Sequence, residues 1–133
     1  MRKRAGKARG EAASAIYTLN NAVHEDGTVG PLIDVGDDAV AYWLRLEGDW
    51  TLANPCDLQA NRCYHWFFEQ DGDGHRTLRL GDAFKVPGGA LRLSHAPGAV
   101  DAVTTYFDGL THYVVSTAHG LRGLSGPSPE GEE

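Results

Sequence analysis

The stretch Ala39-Val-Ala-Tyr-Trp-Leu-Arg-Leu-Glu-Gly-Asp-Trp-Thr-Leu-Ala-Asn-Pro55 decides how this chain is read. Val40, Tyr42, Leu44 and Leu46 alternate with Ala41, Trp43, Arg45 and Glu47, the period of two expected of a strand with one buried face. Gly48-Asp49 then supplies a turn into Trp50-Thr51-Leu52-Ala53, so the segment reads as a hairpin. Asn54-Pro55 ends it, because proline cannot donate to a ladder and restricts the residue before it.

The same grammar extends in both directions. Upstream, Ala15 to Leu19 reads as a short strand closed by Asn20-Asn21, and His24 to Asp38 as a loop punctuated by Asp26-Gly27, Gly30-Pro31 and Gly36-Asp37. Downstream, the aromatic-rich run Arg62 to Gln70 leads through Asp71-Gly72-Asp73-Gly74, read as a hairpin turn, into Arg76 to Leu80. Ala83 to Val86 and Ala90 to Ser94 follow as short strands, and Ala99 to Phe107 with Thr111 to Thr117 form a final hairpin around Asp108-Gly109. No helical period competes. The expectation is an all-β fold, an antiparallel sandwich or jelly-roll-like barrel of about eight or nine short strands.

Composition agrees with that reading. The 133 residues include 17 glycines and one methionine, which suits tight turns better than a helical bundle. No run approaches the ~20 apolar residues of a membrane helix, and the basic start lacks the apolar core of a secretion signal, so a soluble cytoplasmic product is expected. Five of the 12 basic residues (Arg2, Lys3, Arg4, Lys7 and Arg9) fall in the first nine positions, leaving a body with 7 basic against 18 acidic residues. The chain therefore divides into a basic N-terminal arm (1–14), one β-domain (15–119) and a flexible acidic tail (120–133). Such an arm suits docking on an acidic partner or serves as a solvated tail. Nucleic-acid binding is disfavoured, because the acidic body repels phosphate and no basic-aromatic pattern continues into the strands.

The chemistry-bearing groups each have a plainer alternative. Cys56, Cys63, His65 and His75 contain no CxxC or HxxxH pair, so no metal site and no cofactor is expected, and a Cys56–Cys63 disulfide is allowed but not required. Asp71-Gly72-Asp73-Gly74 opens like a calcium loop but has Asp82 where the twelfth-position glutamate belongs, and it lies between strands. Ser94, Ser116, His95, His119, Asp101 and Asp108 supply the residue types of nucleophilic catalysis, yet none stands in a nucleophile elbow, and no enzyme activity is expected. Trp43 and Trp66 are the aromatics that would stack on a sugar or fill an interface or core.

From Trp50 to Val115 the order of features resembles a segment that recurs in tail-fibre, spike and other surface structural proteins of tailed bacteriophages. The matching pieces are Trp50 to Pro55, Phe68 to Leu78, Gly81-Asp-Ala-Phe-Lys-Val-Pro-Gly-Gly89, Leu91 to Ser94, Ala96 to Val103 and Tyr106 to Gly109. The sequence departs from that pattern at Asp57-Leu58 and His75, where glycines are usual, and at His112-Tyr113, where tryptophan is common. The resemblance implies a β-domain at the exposed part of a trimeric or otherwise multimeric virion component assembled in the host cytoplasm. It supplies no catalytic residues. Because the chain is too short for a fibre shaft, the expectation is a capsid decoration or head-spike subunit, with a tail-tip module binding host-surface carbohydrate as the alternative. The arm Arg2 to Arg9 would contact other virion proteins.

Overall fold

The structure, a computed structural model, describes residues 16–31 and 40–122. Nine strands lie in this region: β1 (Tyr17–Thr18), β2 (Thr28–Val29), β3 (Ala41–Leu46), β4 (Trp50–Leu52), β5 (Arg62–Gln70), β6 (Leu78–Leu80), β7 (Phe84–Lys85), β8 (Val100–Phe107) and β9 (His112–Leu121). They form a six-stranded sheet ordered β1-β3-β5-β8-β9-β7 and a three-stranded sheet ordered β2-β4-β6.

Consecutive strands from β1 to β6 alternate between the two sheets, and within each sheet they are parallel. Tyr17 lies beside Tyr42 and Tyr42 beside Trp66, while Val29 lies beside Leu52 and Leu52 beside Leu80. The chain thus winds as a β-solenoid of about four turns. The all-β expectation holds, but the antiparallel sandwich or jelly-roll barrel is overturned. Gly48-Asp49 and Asp71 to Gly74 are not hairpin turns; each carries the chain around a corner from the long sheet to the short one.

Side chains from one coil explain why these turns become corners, because they bind the backbone of the next coil instead of closing locally. Asn20 Nδ2 donates to the Arg45 carbonyl at 2.7 Å, and the Arg45 N–H donates back to Asn20 Oδ1 at 3.0 Å. Asp49 Oδ1 accepts the N–H and the hydroxyl of Thr77, and these bonds hold its pKa below the ordinary carboxylate value. Asn54 Oδ1 accepts the Ala83 N–H while its amide donates to Asp82. Gly81 sits so close to Asn54 that a Cβ there would run into the Asn54 amide.

The corner after β5 is organised by Asp71. Its carboxylate accepts the N–H groups of Asp73 and Gly74 and pairs with the Arg76 guanidinium, whose hydrogen bonds are the main reason its pKa is low. Gly74 has φ +72°, and a Cβ there would strike the His95 carbonyl, so this turn requires glycine.

After β7 the winding stops. A 3-10 turn (Pro87–Gly89) leads to residues 90–94, which belong to no strand although Leu91 and Leu93 pack on the core. β8 then returns antiparallel to β5, and β9 returns antiparallel to β8. This final hairpin agrees with the sequence reading, and Asp108 Oδ1 closes it by accepting the N–H groups of Leu110 and Thr111. β9 extends to Leu121, two residues into the segment read as acidic tail. The strand expected over Ala90 to Ser94 is absent, and β2 arises inside the segment read as loop.

The core lies between the sheets. Tyr42, Leu44 and Leu46 from β3 meet Tyr64, Trp66 and Phe68 from β5, with Val29, Leu52 and Leu78 from the short sheet. Burying each such side chain contributes about 1.5–3 kcal/mol. Trp66 stacks on Tyr42 at 4.8 Å between centroids and donates its indole N–H to Thr105 Oγ1 of β8 at 2.9 Å. His112 lies between Phe84 and Phe107, with centroid distances of 4.8 and 4.1 Å.

Candidate functional site

The outer face of the long sheet carries side chains the core does not use. Trp43 of β3 stands beside Phe67 of β5, Phe67 beside Ala102 of β8, and Ala102 beside Ala118 of β9, so one apolar row crosses four strands. The Trp43 and Phe67 rings stack at 5.3 Å. Together with Val100, Leu121 and Arg122 they border a shallow depression of about 290 Å³. Tyr113, Val115 and Leu121 extend the exposed hydrophobic surface along β9.

Charged groups flank this band. Trp43 donates its indole N–H to Glu69 Oε1 at 2.9 Å, which fixes the ring plane. Arg45 pairs with Glu47 at 2.9 Å and approaches Glu69 at 3.9 Å. The band is therefore an oriented aromatic surface with both charge signs at its rim.

Of the two tryptophans singled out from the sequence, only Trp43 reaches this face. Trp66 is 1% exposed and is corrected to a core residue, since the strand alternation points it inward. The arm residues Arg2, Lys3, Arg4, Lys7 and Arg9 lie outside the described residues.

Cys63 and His65 share the outer face of β5, both exposed, but His65 Nδ1 is engaged by Thr104 Oγ1 at 3.1 Å. Cys56 and Cys63 are free thiols, and His75 pairs instead with the ring of His95 at 5.4 Å. Among the described residues no three metal-ligating side chains converge. The Asp71 carboxylate, the first oxygen donor a calcium loop would need, is taken by Arg76 and by backbone N–H groups.

The fold does join three of the residues considered for catalysis. Asp101, 1% exposed, accepts the Ser94 N–H at 2.7 Å, the Gly120 N–H at 2.8 Å and His119 Nδ1 at 3.0 Å. Burial alone would raise the Asp101 pKa, but the bonds from Gly120, His119 and Ser94 outweigh it and hold the group ionised below the usual range. Asp108 is spent on its turn, and Ser116 stands beside Thr104 on the outer face. The Asp101–His119 link was not legible from spacing, because a one-residue register shift lies between Val100 and Ala102 in the β8–β9 pairing.

No protein-family model, curated protein or solved structure matches the chain. No helix among the described residues is long and apolar enough to cross a membrane.

Proposed function

We propose that the protein is a non-enzymatic structural subunit on the surface of a tailed-phage or phage-like particle, a capsid decoration or head-spike component repeated as a homo-oligomer. The observation that carries this reading is the apolar band Trp43–Phe67–Val100–Leu121 with the exposed Tyr113 and Val115 beside it. Contiguous exposed apolar surface rimmed by polar groups is the usual mark of a protein contact. The resemblance of Trp50 to Val115 to phage surface proteins supports the setting and favours a trimer. The basic arm would add attraction toward acidic virion partners, an interaction that salt weakens.

A second reading rests on the oriented Trp43–Phe67 pair, which suits stacking against a host-surface sugar in a tail-tip module. One experiment separates the two. The full chain, a chain lacking residues 1–10 and the Leu121→Glu variant are compared for mass in solution and for co-sedimentation with particles that lack the protein. The decoration reading expects an oligomer that rebinds, with loss of binding in the truncated chain and loss of assembly in Leu121→Glu. A monomer that ignores particles but binds host cells in a Trp43-dependent way replaces it with the tail-tip reading.

A further inference from the structure

A second site lies away from the apolar band, where residues 86–92 pass β9. Here a cavity of about 270 Å³ is bordered by Val86, Pro87, Leu91, Arg92, Thr117 and His119. His119 is half exposed, but its Nδ1 is tied to the buried Asp101 carboxylate. Because a carboxylate only accepts, Nδ1 must donate to Asp101, and Nε2 is left outside the dyad as the nitrogen that accepts in the neutral ring. Three donors converge on Asp101 and hold this arrangement.

Arg92 supplies the opposite chemistry. It is exposed, and among the described residues no carboxylate engages it, whereas Arg45 and Arg76 are both paired. A free guanidinium recognises a carboxylate or phosphate through parallel N–H donors. The cavity is smaller than the ~300–1,000 Å³ typical of sites for drug-sized ligands, so it takes one ring or a terminal group. Val86, Pro87 and Leu91 give it an apolar wall, and the Thr117 hydroxyl adds a group that can donate or accept.

We propose that this cavity binds a single acidic sugar unit, with Arg92 holding the carboxylate, His119 Nε2 accepting a ring hydroxyl and the Val86–Leu91 wall packing on the apolar sugar face. A carboxylate together with adjacent hydroxyl donors is what the Arg92 and His119 pair requires, and a plain sugar or inorganic phosphate meets only part of it. The site is separate from the Trp43 face and stands whichever particle position the protein occupies.

The test uses the full chain and follows the His119 ring resonances by NMR during titration with glucuronate, glucose and inorganic phosphate. The expected result is a saturable shift with glucuronate, about tenfold weaker response to the other two, and about tenfold loss in Arg92→Met, equivalent to 1.4 kcal/mol. His119→Gln keeps a donor for Asp101 but moves its remaining acceptor, Oε1, away from the Nε2 position, and it should weaken glucuronate binding followed through the Thr117 methyl. Arg92→Met carries the test should His119→Gln fail to fold, because no described contact depends on Arg92. Absence of a saturable shift, an equal response to phosphate or glucose, or full affinity in Arg92→Met overturns the proposal.

Discussion

The coils from β1 to β6 and the β8–β9 hairpin solve the same problem by different means. In the coils, neighbouring strands are separated by about one full winding, and side chains such as Asn20, Asp49 and Asn54 reach across to bind the next backbone. In the hairpin, neighbours are joined by four residues and Asp108 closes the turn locally. Parallel strands need a long crossover, whereas antiparallel strands need only a tight turn. The coils therefore depend on inter-coil clamps and on a shared aromatic core, whereas the hairpin turn closes locally and its β8 strand is held by pairing along β5.

Trp66 joins the two regions, and its removal should break the comparison most severely. Trp66→Ala deletes the stack on Tyr42 and the bond to Thr105, and it should cost about 3–5 kcal/mol, read as a lowered denaturant midpoint. Both regions should lose protection from hydrogen exchange together; loss confined to the coils would show that the hairpin stands alone.

Gly81→Ala tests the clamp itself. The new methyl meets the Asn54 amide and should cost about 1–3 kcal/mol by overpacking. Asn54→Ala should cost about 1 kcal/mol through lost hydrogen bonds. The double variant should cost less than the sum, because removing the amide relieves the clash. Strict additivity would show that the two residues do not form one clamp.

The hairpin side has a pH signature. Burial between Phe84 and Phe107 lowers the His112 pKa below its ordinary 6.5, partly offset by Asp108. The folded state then binds fewer protons than the unfolded one, so stability is intact above 6.5 and falls as pH drops from 6.5 toward the lower folded value. His112→Phe should flatten this slope in thermal unfolding followed between neutral pH and the carboxylate range, and an unchanged slope would assign it elsewhere.

Asp49 should show the smallest effect. Its pKa lies below 3.8, so its contribution is present above 3.8 and is lost as pH falls through the lower folded value. Asp49→Asn should leave neutral-pH melting nearly unchanged and reduce the acid dependence below 3.8, because the side chain is exposed.

The candidate sites were legible only in part. Trp43 and Trp66 both stand mid-strand among aromatic neighbours, yet the register sets Trp43 beside Phe67 on the outer face and Trp66 beside Tyr42 in the core, and which face is buried depends on which sheet surface meets the other. His119 and Asp101 are 18 residues apart and meet through hairpin pairing plus a register shift, which no local spacing signals. Arg92 falls in a stretch that reads as a strand and carries no site motif of its own.

The sequence by itself determined that the chain is rich in strands, where most of them lie, and that Asp108-Gly109 closes a hairpin, because alternation and turn chemistry are local properties. Only the tertiary structure decided that β3, β5 and their predecessors run parallel in a solenoid. A Gly-Asp corner can reverse a strand or send it to another sheet, and the choice is made by partners about 25 residues away, such as Asn20 on Arg45 and Asp49 on Thr77.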